Sequence, residues 1–164
     1  MRGKKGTKHS DPLDPPRRRA NKRRGKGTYE NDRVPIQGTV GRNTGQVRLR
    51  VVMNTTAKIL CGRVHQTTQP GTMVYTDEAN SYNALLRPHE TVCHALHEWA
   101  RDADGDGIRE VYTNTLEGLW AAFRTFLRPF RGVHKRYLSG YVAIFEHRSN
   151  LKRISLVFIA ALIR

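Results

Sequence analysis

Cysteine is nearly absent: the 164 residues hold two, Cys61 and Cys93, with no CxxC spacing. That scarcity excludes a disulfide framework and a cysteine-rich zinc site, and both thiols read as buried, reduced side chains. Long apolar runs are missing too. The longest, residues 154–163, is interrupted by Ser155 and flanked by Lys152, Arg153 and Arg164, whereas a helix across a bilayer needs about 20 apolar residues. No apolar stretch follows the basic residues after Met1, so no signal peptide is read and a cytoplasmic protein with no membrane partner is expected. Acid is the scarcer charge, with 14 Asp and Glu against 29 Lys and Arg, a formal charge of +15. Such an excess is held against something negative or stays solvated and self-repelling. Nucleic acid is the first candidate; anionic headgroups meet the same test at about 1 kcal/mol per basic residue.

What is present falls into two parts. The first 28 residues carry eleven Lys or Arg and two Asp, with Pro12, Pro15 and Pro16 and almost nothing apolar, so residues 1–33 read as a disordered basic arm or insertion. Its densest charge, Arg17, Arg18, Arg19, Lys22, Arg23, Arg24 and Lys26, suits contact with phosphates. Residues 34–164 read as one domain. In QVRLRVVM, Val47, Leu49 and Val51 alternate with Arg48 and Arg50, and Asn and Gly stand in the connection before it. That is a hairpin with one buried face. A short helix is expected over 56–66, a strand at TMVYT, a second helical stretch over 78–86, a strand at HETVCHA and a loop at DADGDG. Leu116, Leu119, Trp120, Phe123, Leu127 and Phe130 recur at threes and fours, which predicts a long amphipathic helix over 115–130. Two more helices are expected over 136–147 and 151–164. Strands first, helices last and βαβ elements between give a mixed α/β domain.

Several residues could carry chemistry. Asp77 follows TMVYT directly, and strand ends are where open α/β sheets present ligands, although Asp-Glu is also an ordinary helix start. Glu117 stands three residues after Asn114, the spacing of a capping box, yet the same position projects a carboxylate from the first turn of the long helix. Arg124, seven residues on, shares that helix face and could meet a phosphate or simply be solvated. The DADGDG run matches the start of a calcium loop at Asp102, Asp104, Asp106 and Gly107, but its twelfth position is Thr113, so an acidic surface loop is the better reading. His89 and His94 bracket Cys93, and a structural role or hydrogen-bonded pair outweighs zinc there.

The ordered runs DPPRRRANKRRGKGTYENDRVPIQGTVGRNTGQVRLRVV, VYTDEANSYN, HETVCHALHEWARDADGDGIREVYTNTLEGLW and LRPFRGVHKRYLSGYVAIFEHRSNLK resemble the ISXO-type insertion-sequence transposase domain over essentially the whole chain. The resemblance implies an RNase H-like mixed sheet flanked by helices, in which acidic residues hold two divalent metals, Mg²⁺ or Mn²⁺, for DNA strand transfer. It makes Asp77 the second acidic ligand and puts the third at Asn114 or Glu117, with Glu117 favoured for its charge. It assigns Arg124 to the catalytic group, and His134 and Lys135 to DNA contact or support of the site. DNA, as element ends and target, is the implied partner, with a homo-oligomer in the assembled complex. Family members also carry an acid on the first strand, in a DE-containing run; here Asp11, Asp14 and Asp32 stand in no comparable run. The expectation is therefore a transposase domain lacking its first strand and first ligand, with impaired catalysis. The alternative is a non-catalytic basic remnant that binds nucleic acid. Replacing the arginines among residues 17–24 with glutamine should weaken binding to DNA of any sequence, lowering the salt slope by about 0.9 for each phosphate no longer neutralised. Affinity unchanged by those replacements would sink the arm's assignment.

Overall fold

The computed structural model of the chain describes residues 27–30 and 33–151. The cluster of basic residues at 17–26 and the helix expected over 151–164 lie outside the described residues, save Leu151. The chain forms a mixed α/β structure with four short strands in two sheets and three α-helices among the described residues.

The hairpin forms where the alternation places it. Strands β1 (Ile36–Val40) and β2 (Val47–Val51) pair antiparallel, with Gly38 opposite Leu49 and Val40 opposite Val47. Gly45, at φ +64°, closes the turn, a backbone region where a side chain would be strained. Val47 and Leu49 are buried while Arg48 and Arg50 are exposed, the alternation of a sheet with one dry face. That face receives Phe123, Val142 and Phe145, with Trp120 and Phe126 at the margin. The rings of Phe123 and Phe145 meet edge to face at 5.1 Å. Gly38 is small by necessity: a Cβ there would stand 2.9 Å from Leu49 Cδ2 and from Trp120 Cζ2.

Helix α1 (Ala57–Thr67) starts where Asn54 Oδ1 accepts the Thr56 N–H and hydroxyl, at 3.1 and 2.8 Å. It buries Leu60, Cys61 and Val64, the last two against Leu85, Val74 and Tyr82. The turn at residues 69–72 then leads into β3 (Val74–Asp77), which pairs in parallel with β4 (His89–Val92), Asp77 lying opposite Val92. Between them the helix expected over 78–86 is reduced to one 3₁₀ turn, Asn80–Tyr82. Its polar side chains are engaged elsewhere: Asp77 Oδ1 accepts the Ala79 N–H and Ser81 Oγ donates to the Thr55 carbonyl. This is the competition that makes Asp and Ser poor in helix interiors.

Helix α2 (Asn114–Leu127) ends in a 3₁₀ turn at Arg128–Phe130, so the apolar stripe runs through two kinds of helix. Helix α3 (Lys135–Asn150) follows. It packs on β2 and completes that strand's outer edge with side chains. Glu146 Oε2 accepts the Leu49 N–H at 2.5 Å, and Asn150 accepts the Val47 N–H at 2.8 Å while donating to the Val47 carbonyl at 2.9 Å. Asn150→Ala removes both bonds to Val47 and should cost about 1–3 kcal/mol, read as a lower urea midpoint at unchanged slope. A midpoint equal to the parent's would show that water replaces the amide without loss.

Candidate functional site

The parallel pair and the long helix bring their ends together around His94. Asp77 closes β3 and is exposed, with one carboxylate oxygen accepting the Ala79 N–H at 3.3 Å. Its partner in register, Val92, is fully buried and closes β4. The chain therefore leaves the sheet at Cys93 and His94 on the same end as Asp77, the carboxyl end of both strands, where parallel sheets present ligands.

Two carboxylates fix that exit. Glu98 accepts the Cys93 N–H at 2.8 Å, and Glu78 accepts those of His94 and Ala95 at 3.0 and 3.3 Å. Its own amide, with those of His94 and Ala95, holds the Glu78 carboxyl below the usual carboxylate range. The imidazole of His94 then faces α2. Its Nε2 lies 3.2 Å from Thr113 Oγ1 and 3.3 Å from Glu117 Oε1, while Trp99 packs on the ring at 5.5 Å. Glu117 thus sits in the first turn of α2 with its side chain turned to His94. The expected capping box does not form: Thr113 flanks the helix, Asn114 is its first residue, and no side chain caps the N-terminus. Asn114 is exposed.

The approach to α2 is pinned from the hairpin turn. The Arg42 guanidinium lies between the rings of Tyr75 and Tyr112, at 3.7 and 4.0 Å from their centres. It donates to the carbonyls of Glu110 and Tyr112. One side chain thereby ties the turn after β1, strand β3 and the segment entering α2. Arg42 reads in sequence as an ordinary turn residue, and nothing local marks this role.

The remaining predicted residues disperse. Arg124 is exposed, further along α2 from Glu117. His134 caps α3 through Nδ1, 3.3 Å from the Arg136 N–H, and Lys135 donates to the Tyr29 carbonyl at 2.9 Å. His89 and His94 do not converge: one opens β4 and bonds Thr76, the other follows the strand's end. In the acidic loop, Asp102 accepts the amides of Gly105 and Gly107, and Glu110 joins the three aspartates within 4.8 Å. Sequence reasoning looked for a fourth acid at residue 113; it stands at 110, where a β-bridge between Arg101 and Val111 folds the loop back.

Against this geometry the comparisons are specific. The model of the ISXO2-like transposase domain matches residues 6–150. The chain belongs to that family. A protein of Halobacterium salinarum described as an uncharacterized protein in transposable element ISH50 is 28% identical over 151 residues, 92% of this chain and 50% of that protein. The chain thus spans about half the length of the curated relative it matches. No solved structure matches. Among the described residues no helix is long and apolar enough to cross a membrane.

Carboxylate oxygens such as those of Asp77 and Glu117 are donors that suit a hard divalent cation. Asp77 and Glu117 are both exposed, and one oxygen of each has no hydrogen-bond partner among the described residues. Magnesium takes one or two carboxylates and keeps several waters. Nearby, burial disfavours the charged form of His89, whose Nε2 lies 2.8 Å from Thr76 Oγ1. Its proton affinity is lowered from the ordinary 6.5, so the stability it contributes is complete above that value and is lost as pH falls through the lowered folded value. Melting temperature should drop as pH falls below 6.5, and His89→Gln should flatten that drop. A parent and variant with parallel profiles would remove His89 as the cause.

Proposed function

We propose that the chain is the catalytic domain of a DDE-type transposase with an RNase H-like fold, acting on DNA in the cytoplasm. The observation that supports this most is that Asp77 ends β3 at the end of the parallel pair from which the chain leaves toward His94, while Glu117, in the first turn of α2, lies against the His94 ring. An antiparallel hairpin, a helix, a parallel strand pair and an acid-bearing helix follow in that order and support the reading, although the described strands form two separate two-stranded sheets rather than the one mixed sheet expected. The full domain of residues 34–164 belongs to the same proposal.

In this reading Asp77 and Glu117 would hold Mg²⁺ or Mn²⁺. A metal pair supplies, when bound, an activated nucleophile and charge relief at the leaving oxygen of an in-line phosphoryl transfer. The chain's own contribution is orientation. Glu78 and Glu98 fix the backbone at residues 93–95, and that backbone sets the His94 ring against Glu117. Ring contact of this kind restricts a carboxylate's rotamers and keeps an oxygen free for a cation. Asn114 is the alternative third position, and Arg124 would steady a phosphate.

Catalysis is expected to be impaired. The two other acids at this end, Glu78 and Glu98, are occupied by backbone amides, leaving no further free carboxylate there among the described residues. The second reading, a non-catalytic DNA-binding remnant that acts beside an intact transposase, draws on the same deficit and on the charge of +15.

A nicking and strand-transfer assay on the element's terminal DNA, with Mg²⁺ or Mn²⁺, separates the two. Residual activity should fall in Asp77→Asn and Glu117→Gln by more than the roughly 10–100-fold typical of losing a residue that only orients a ligand. DNA binding with no turnover in the parent chain selects the remnant. Turnover that survives both substitutions would reject the metal assignment.

A further inference from the structure

Beyond Glu117 the sequence runs for 28 residues, 118–145, without an acid, and Arg124, Arg128, Arg131, Lys135 and Arg136 fall within that stretch. Lys135 is held by the Tyr29 carbonyl and ring. Arg124, Arg128 and Arg131 behave differently: all three are exposed, and the described residues offer their guanidiniums no carboxylate. They surround one open hollow of about 440 Å³, with Leu127, Val133 and Leu138 between them. The backbone that shapes it is unusual. Arg131 and Gly132 both have positive φ, +55° and +118°, so the chain turns sharply after the 3₁₀ end of α2 and brings Arg131 back beside Arg124 and Arg128. Glycine would take the first of those conformations more easily than arginine does.

Three guanidiniums around one hollow, with no counter-charge among the described residues, match a polyanion. Each guanidinium can present two parallel N–H donors to a phosphate, a geometry lysine lacks. The position on α2 decides which polyanion. Arg124 follows Glu117 by seven residues, two turns on the same face, which is about 10 Å along the axis. On duplex DNA that distance is roughly three nucleotide steps. A duplex lying along α2 with one phosphate at the carboxylates would carry another of its phosphates to the arginines.

We propose that Arg124, Arg128 and Arg131 form a phosphodiester site that grips the backbone of duplex DNA about three nucleotides from the bond presented to Asp77 and Glu117. The site rests on the transposase reading for its substrate. It adds Arg128 and Arg131, which that reading leaves unassigned, and it gives the acid-free stretch after Glu117 a purpose. A phosphate there is gripped without reading base sequence.

The test is fluorescence anisotropy of the full chain with a labelled duplex across a salt series, with a chelator present so that no divalent metal contributes. Arg124→Gln, Arg128→Gln and Arg131→Gln are made singly and together, beside a charge-matched triple of Lys58→Gln, Arg109→Gln and Arg148→Gln. Each phosphate released from the protein should lower the slope of log affinity against log salt by about 0.9, so the first triple should lose about two to three in slope and the second far less. The loss should be the same for unrelated duplex sequences. Circular dichroism and the melting temperature establish that the variants fold, and the singles keep the test open if the triple does not. Equal losses in the two triples, or none in the first, overturn the site while leaving the transposase reading standing. A parent chain that binds no duplex overturns both. A loss confined to the first triple supports the site whatever the nicking assay returns.

Discussion

Four residues of α-helix and two residues of β-strand advance by nearly the same distance, about 6.0 and 6.8 Å, and the described structure depends on that coincidence. Glu146 and Asn150 are one turn apart on α3; Leu49 and Val47 are two apart on β2, and the two sets meet pair by pair. A two-stranded hairpin is marginal by itself. Here its outer edge is completed by side chains of a helix rather than by another strand, which satisfies the amides of Val47 and Leu49 and protects the edge from pairing with other chains. The same docking presses Val142 and Phe145 onto Val47 and Leu49, so hydrogen bonding and apolar burial share one interface.

From that interface the rest follows in order. Phe123 of α2 is buried in the cluster that α3 and β2 create, and Trp120 lies over Gly38, so α2 is fixed to the hairpin along its length. The Arg42 guanidinium then sets the helix entrance against β3, through ring contacts and two carbonyls. Cation–ring contacts are worth about 0.5–2 kcal/mol, and bonds from a charged donor about 1.5–3. Such values suffice to hold a loop but not to fold a domain. The hairpin supplies the fold, and Arg42 supplies registration between Asp77 and Glu117.

The legible part of the sequence was the part governed by period. Alternation at 47–49 reported burial directly, and the three-four stripe located α2, although of its residues only Phe123 is buried and Phe130, in the 3₁₀ turn, is exposed. The 3₁₀ turn in place of a helix over 78–86 was illegible for a definite reason. Its outcome depends on where Asp77, Glu78 and Ser81 find partners, and two of those, Thr55 and His94, lie 26 and 16 residues away. Glu117 shows the same limit: its spacing from Asn114 fits a cap, and only the fold supplies the His94 ring that takes it instead. Glu110 was missed because a β-bridge, invisible to any local template, returns it to the aspartates.

Family membership and geometry bear on different questions. The match over residues 6–150 identifies the ancestry, but ancestry does not say which carboxylates remain free. The hydrogen bonds do. Glu78 and Glu98 stand at the right end of the sheet and have the right chemistry, yet each accepts a backbone amide of the segment that carries His94. Withdrawing either carboxylate toward a cation would leave an amide unpaired and loosen the ring set against Glu117, a loss that opposes whatever the metal would gain. In the proposed reading, that coupling leaves Asp77 and Glu117 to face the metal, while Glu78 and Glu98 hold the backbone at residues 93–95 in place.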